Sequence, residues 1–540
     1  MESIEKDNIS EIVKINNFNQ LDRIQNQKKI HLMFYQYDGY EKFYPEFGAE
    51  LAKKLENCGD LTHFDLQVDH FSFRINSKLI ITLTEGLQKC VKLTYLKLYL
   101  RYQELGIQGI QSIANLLNSC KNITYLSLAL EVYNCQNEGI NTITKAMQNC
   151  LNIEILKIML NSHFSLIETQ NLAGVLQQCT KIKCLKLDFQ LSRIPNEGFD
   201  LLGNAIGQLK NLIKLELILY QQQRYQNYKI DLITYRIAET LKNCQNLEKL
   251  NINLNANKIG DKEITMITES IIICQKITHL VFFLRENQIK DEGVKSIAFM
   301  LQHCQKIKSL TLDLEQNELS KESGMHIAQM LQSCCNIQFM NLCLKSNGIN
   351  HQQAQLIGQS IQKMQNLKDF NLNLNQNEIG LKKGKDVKII TDSLLLCQNI
   401  TNLSLKMSGN FIGVEGAKNI AKLIQNCNNI RYLKVDFSYN QIGLEGVRFI
   451  SKSLENQRHI LHFVIKLHKT NIGINGCERI VKALAKCQHI IILNISLDFN
   501  CYQDFYRNQY IQNMGKFVKT KLIKKIEKSL RIVNLNVDLM

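Results

Sequence analysis

The chain is predicted to fold as an α/β solenoid, a parallel sheet backed by short helices and built from one unit repeated along nearly its whole length. Three observations predict it. A phrase of alternating apolar residues recurs about every 30 residues, each copy is followed by apolar residues at helical spacing, and the 540 residues contain only 2 Pro and no Trp. A chain this long exceeds the roughly 250 to 300 residues at which one globular core stops growing, so it is either several domains or an elongated array. No Gly/Ser-rich or Pro-rich linker breaks it, which favours the array.

The strand comes first in each unit. The phrase reads Ile277-x-x-Leu280-x-Phe282-x-Leu284, then Ile307-x-x-Leu310-x-Leu312-x-Leu314, then Ile337-x-x-Met340-x-Leu342-x-Leu344, a period of 30. Further copies begin at Leu61, Leu93, Ile123, Ile153, Ile182, Leu212, Leu247, Leu367, Ile400, Ile430, Ile460, Ile490 and Leu530, making sixteen, with a partial copy near Ile30. A period of two marks a strand with one buried face, and even spacing between copies sets equivalent residues side by side in a parallel sheet.

The corner follows. Asn257-Lys-Ile259-Gly260, Asn377-Glu-Ile379-Gly380, Asn410-Phe-Ile412-Gly413 and Asn440-Gln-Ile442-Gly443 share one pattern. An Asn amide both donates to and accepts from turn backbone, and glycine frees the chain behind it. The helix is next: in Glu292-Gly293-Val294-x-x-Ile297-Ala298-x-x-Leu301 the apolar residues share one face, and an acidic residue near the first turn suits the helix dipole. The helix then runs into a cysteine three residues before the next strand phrase. Cys58, Cys90, Cys120, Cys150, Cys179, Cys244, Cys274, Cys304, Cys334, Cys397, Cys427 and Cys487 hold this slot, twelve of the eighteen cysteines. Leu209 and Met364 fill it in two other copies, so it wants a small-to-medium apolar side chain rather than a reactive thiol. Ligands that recur once per coil make no close Cys-x-x-Cys cluster, so neither metal nor disulfide chemistry is expected there.

Strand, Asn-x-Leu corner, glycine and helix in this order resemble the ribonuclease-inhibitor-like leucine-rich repeats over about residues 28 to 539. That resemblance implies a horseshoe with the parallel sheet on its concave face and helices on its convex face, about 16 repeats of about 30 residues. One departure is visible. Two more residues than usual separate the first Leu from the Asn, as in Leu250-x-Ile252-x-Leu254-x-x-Asn257, which predicts a longer strand. The expected organisation is a polar N-terminal segment (1–27), an N-terminal cap (28–60), the array (61–529) and a C-terminal capping strand (530–540). Copies from Leu93 to Leu212 lose the Asn-x-Ile-Gly corner. Insertions near 220–231, 380–388 and 500–520 are expected to protrude where strand turns into helix.

The first insertion mixes Tyr220, Arg224, Tyr225 and Tyr228, residue types that suit contact surfaces. The second, Gly380-Leu-Lys382-Lys383-Gly384-Lys385, lacks the spacing and hydroxyl of a phosphate loop. The third leads into a lysine-rich stretch from Lys516 to Lys528, read as a cap helix with a solvated basic face, or as a dock for an acidic protein, RNA or anionic lipid. The formal charge of +16 likewise favours acidic partners without naming one.

No His-Glu-x-x-His, Gly-x-Ser-x-Gly, Gly-x-Gly-x-x-Gly or close Cys/His cluster occurs, so catalysis, cofactor and metal are not expected, and Asp313 with Glu315 is read as a solvated face rather than an acid/base pair. A charged N-terminus and the lack of a long apolar run predict a chain without a transmembrane segment, cytoplasmic and monomeric on its own. The expected function is a non-enzymatic scaffold that binds a protein partner, an acidic one in particular, through the concave strand face and edge loops. Tyr99, Met159, Tyr220, Arg224, Tyr225, Val281, Phe283, Arg285, Asp313, Glu315, Lys345, Lys406, Lys434, Asp436 and Lys466 are the candidate contacts, with Val281 and Phe283 as an apolar anchor. Asn251, Asn253, Asn255, Asn371, Asn373 and Asn375 read as neutral ladders. The alternatives are a GTPase activator similar to the Ran-activating members of this repeat class, or a binder of RNA or acidic polymers through the basic loops and basic C-terminal segment.

Overall fold

The computed structural model describes residues 13–15, 22–24, 26–34, 45–68, 75–101, 103–131, 135–161, 163–190, 192, 194–220, 229–380, 385–487, 489–497 and 534–539. The chain divides into two compact units, Met1–Asn257 with Ile273–Lys276, and Lys258–Ile272 with Ile277–Met540.

In the first unit the strands are β1 (Val13–Ile15), β2 (Lys29–Phe34), β3 (His63–Val68), β4 (Tyr95–Leu100), β5 (Tyr125–Glu131), β6 (Ile155–Asn161), β7 (Cys184–Asp188), β8 (Lys214–Ile218) and β9 (Lys249–Asn253). Each pairs in parallel with the next. Between them run helices α1 (Pro45–Glu56), α2 (Ser77–Gln88), α3 (Gly106–Ser119), α4 (Gln136–Met147), α5 (Leu166–Gln178), α6 (Asn196–Gly207) and α7 (Ile230–Asn243). β1 lies in the segment read from sequence as polar; three residues, Val13 to Ile15, are too short a run to carry a visible period.

The second unit continues the scheme. Its strands are β10 (His279–Phe283), β11 (Ser309–Asp313), β12 (Phe339–Cys343), β13 (Asp369–Asn373), β14 (Asn402–Lys406), β15 (Tyr432–Asp436), β16 (His462–Leu467), β17 (Ile492–Leu497) and β18 (Asn534–Leu539), again all parallel. Its helices are α8 (Asp261–Ile273), α9 (Asp291–His303), α10 (Ser323–Ser333), α11 (His351–Ile361), α12 (Lys385–Leu396), α13 (Gly413–Asn426), α14 (Gly443–Asn456) and α15 (Gly473–Leu484).

The core of each unit lies between sheet and helices. Leu280, Phe282 and Leu284 are buried on one side of it and Val294, Ile297, Ala298 and Leu301 on the other, as the periodicity predicts. Each such side chain contributes roughly 1.5–3 kcal/mol when fully buried. A single coil has nothing to bury this face against except its neighbours, and successive helices and strands therefore pack in sequence order.

The two extra residues before the corner do not lengthen the strand. β9 ends at Asn253, and the second extra residue turns left-handed: φ is +55° at Ala256, +56° at Glu286, +53° at Gln316, +55° at Ser346 and +58° at Tyr439. What they lengthen is the hydrogen bonding between coils. The Glu286 N–H donates to the Glu315 carbonyl (2.8 Å), Gln316 to Lys345 (3.0 Å) and Tyr439 to His468 (2.7 Å), beyond the last extended residue.

Behind this turn the corner Asn is buried and links neighbouring coils. Asn377 Nδ2 donates to the carbonyls of Leu344 and Leu374 (both 3.0 Å), while its Oδ1 accepts from Asn347 (3.1 Å) and Ile349 (2.9 Å). Asn347 and Asn440 repeat the arrangement. In the copies that lose the motif another polar residue stands at the same phase: Gln103 Oε1 accepts from Ile75 N (2.6 Å) and Ser192 Oγ donates to the Leu160 carbonyl (2.6 Å). Gly413 and Gly443 follow with φ of +64° and +60°. Gly380 is needed for space instead, since a Cβ there would lie 2.3 Å from the Phe411 carbonyl oxygen.

Candidate interaction surface

Residues that alternate with the buried ones face away from the helices and line the open face of each sheet. In the first unit one register row runs Gln67, Tyr99, Ala129, Met159, Asp188 and Ile218. Tyr99 and Met159 are half-buried on it, two strands apart, and Arg101 Nη1 donates to the Tyr99 hydroxyl (3.4 Å). The next row pairs its charges: Lys97 meets Asp65 at 3.4 Å and Lys186 meets Glu216 at 2.9 Å. Tyr220 is half-buried at the start of its insertion, which lies between β8 and α7; Arg224 and Tyr225 lie outside the described residues, as does the basic stretch from Lys516 to Lys528.

In the second unit, Val281, Phe283 and Arg285 lie along β10 and its extension. Val281 and Phe283 are half-buried, in register with Thr311 and Asp313 of the neighbouring strand respectively. The more exposed rings are elsewhere, at Phe339 (48% exposed), Phe411 (60%) and Tyr439 (57%).

Arg285, Asp313, Glu315 and Lys345 come together, and Glu315 is not solvated as its sequence suggests. It is 6% exposed, with Lys345 Nζ 2.7 Å from Oε1, Arg285 Nη2 at 3.8 Å and the Cys343 thiol donating to Oε2 over 3.9 Å. Asp313 Oδ1 accepts from Glu315 N (2.9 Å), and burial pushes the Asp313 carboxyl above the usual range. Asp313, Glu315 and Cys343 bring three potential ligand atoms within 4.8 Å. Lys345 and Arg285 already compensate Glu315, and burial holds the Cys343 thiol up at about 12, so this donor set is a poor match for a cation.

Strands β14 to β16 differ. In register, Lys406 stands beside Asp436 and Asp436 beside Lys466, while Lys434 lies two residues before Asp436 on the same strand. All four predicted contacts therefore share one patch, and all are half-buried. Among the described residues none of the three lysines has a carboxylate within ion-pair distance. Burial, and then the charges of Lys406 and Lys466, pull the Lys434 ammonium below its ordinary value. Asp436 spends Oδ1 on Ser438 N (3.1 Å). Tyr432 and His462 meet edge-on, ring centroids 6.3 Å apart, at one end of the patch. Phe411 and Tyr439 lie at the turns of the other end, with Lys469 Nζ 5.1 Å from the Tyr439 ring centre.

The cysteine slot is structural. All twelve thiols are buried and free, and several donate to carbonyls of the preceding coil, as Cys274 does to Leu241 (3.3 Å) and Cys487 to Leu454 (3.2 Å). Gln457 holds the same slot, its amide donating to the Ile424 carbonyl. The slot thus accommodates a donor to the preceding coil as well as apolar bulk, and Leu209 and Met364 fill it by bulk alone.

Parallel strands alternating with helices on a 30-residue period, open along one sheet face, define a repeat solenoid. Two stretches of it match a family model described as a leucine-rich repeat, residues 274–298 and 427–451, each window running from a slot cysteine through strand and corner into the following helix. No curated protein matches the chain. No described helix is long and apolar enough to cross a membrane.

Proposed function

We propose that this chain is a non-enzymatic protein-interaction scaffold, and that it docks an extended segment of its partner on the open face and corner turns of β14 to β16. Phe411 and Tyr439 carry the reading. Both rings are more than half exposed, and both sit at left-handed backbone, φ +56° and +58°. A Cβ there costs roughly 1–2 kcal/mol relative to glycine. The coil before Tyr439 has Gly409 at the equivalent place, φ +65°, so the turn itself does not ask for a ring. A side chain that strains its backbone and covers no core of its own is well suited to anchoring a partner.

A photo-crosslinking residue at position 439 tests the reading, with one at Phe299, an exposed ring on helix α9, as the control. In reduced lysate the expected result is a discrete protein adduct at 439, absent at 299 and abolished by Phe411→Asp. The same adducts at both positions, or none at 439, would refute it.

A further inference from the structure

We propose that Lys406, Lys434 and Lys466 form the recognition site for an acidic segment of a protein partner, an extended run with Asp or Glu at about every third residue; this rests on the interaction reading above.

Positive charge gathers on β14 to β16 without matching carboxylates. Several open-face lysines elsewhere have a carboxylate of their own: Lys97 has Asp65 at 3.4 Å, Lys186 has Glu216 at 2.9 Å and Lys345 has Glu315 at 2.7 Å. On β14 to β16, among the described residues, three ammonium groups share Asp436 alone, none within ion-pair distance, leaving the cluster two charges positive. Holding three half-buried cations together lowers stability unless an anion joins them, so the cluster favours a ligand that brings carboxylates.

Spacing narrows the ligand. Lys406 and Lys466 are two strands apart, roughly 10 Å from the sheet spacing. A polyproline-like peptide returns to the same side every third residue, about 9 Å along. Acidic side chains at that interval reach the outer lysines, with Lys434 beside the midpoint. Tyr432 and His462 at one end and Phe411 and Tyr439 at the other supply apolar walls for the residues between.

The surroundings favour a short acidic peptide over a nucleic acid. A phosphate backbone tracks an extended basic groove. Here the same face, followed toward β10, meets Asp369, Asn371 and Asn373, and then Asp313. The strand beside the cluster thus offers a long polyanion a carboxylate and two neutral amides in place of further cations, and beyond it Lys345 and Arg285 are already paired with Glu315, whereas a segment confined to β14 to β16 avoids both.

The test uses the full chain and fluorescence anisotropy with three labelled probes: a short peptide with Glu at every third position, its Gln counterpart, and an oligouridylate. The acidic peptide should bind at least about tenfold more tightly than the neutral one and weaken with salt. The triple variant Lys406→Gln/Lys434→Gln/Lys466→Gln should lose that preference while keeping its thermal unfolding midpoint. Lys434→Arg, which keeps charge and packing, should retain binding, so loss in the triple variant is not misread as unfolding. Equal affinity for both peptides, or indifference to the triple variant, overturns the proposal. If the neutral peptide binds and Phe411→Ala/Tyr439→Ala removes it, the interaction reading stands and the acidic site falls. If the oligouridylate binds more tightly than the acidic peptide through the same lysines, an RNA surface replaces it. If no probe binds, the acidic site falls, and cross-linking at position 439 judges the interaction reading separately.

Discussion

A thiol reacts as its thiolate, and burial in the end-of-helix slot removes that form. Cys90, Cys150, Cys244 and Cys427 are held up at about 12, and Cys120, Cys179, Cys304, Cys397 and Cys487 at about 11, in each case by desolvation first. Cys335, adjacent to slot Cys334, is exposed. Brief treatment of the native chain with N-ethylmaleimide near neutral pH should therefore label Cys335 first among the described cysteines, the slot cysteines reacting only after denaturation. Peptide mass spectrometry reads the order; early labelling of Cys274 or Cys397 would contradict it. The slot was legible in the sequence because it recurs in phase. The donor role was not, because its twelve cysteines, Leu209 and Met364 read equally well as small-to-medium apolar residues until Gln457 is seen bonding the Ile424 carbonyl.

At the scale of one coil, the corner Asn does more than close its own turn. Asn377 ties three stretches of backbone, donating to Leu344 and Leu374 and accepting from Asn347 and Ile349. An unpaired buried polar group costs about 1–3 kcal/mol, and Asn377→Ala orphans several of them. The substitution should destabilise the coils containing β12 and β13 by roughly 3 kcal/mol or more. Amide exchange across residues 344–379 measures it, and unchanged protection there would mean that water replaces the side chain. A sequence pattern written as Asn-x-Ile-Gly overlooks Gln103 and Ser192, because what the corner requires is a hydrogen-bonding group at one point in space and several side chains reach it.

Across each whole unit, stability is a sum of stacked neighbours, so damage should stay local. Leu372 is fully buried between β13 and its helix layer. Leu372→Ala should cost about 2–5 kcal/mol, expressed mainly in the adjoining coils rather than as a uniform loss. Exchange rates should rise around β12 to β14 and hold near their wild-type values in β16 and β17; a uniform rise throughout the second unit would show that its coils unfold as one.

Period, strand and helix faces, cysteine slot and corner were determined by the sequence alone, since each is a regular phase that one stretch of chain displays by itself: Leu280, Phe282 and Leu284, then Val294, Ile297 and Leu301. Only the tertiary structure decided which open-face residues are spent on one another. Glu315 is buried and paired with Lys345, thirty residues away, and Val281 and Phe283 are half-buried, whereas among the described residues Lys406, Lys434 and Lys466 have no carboxylate within ion-pair distance and Phe411 and Tyr439 remain open. Residues a full repeat apart become neighbours at strand spacing only when coils stack in register, and the charge and exposure of each depend on what that register places beside it.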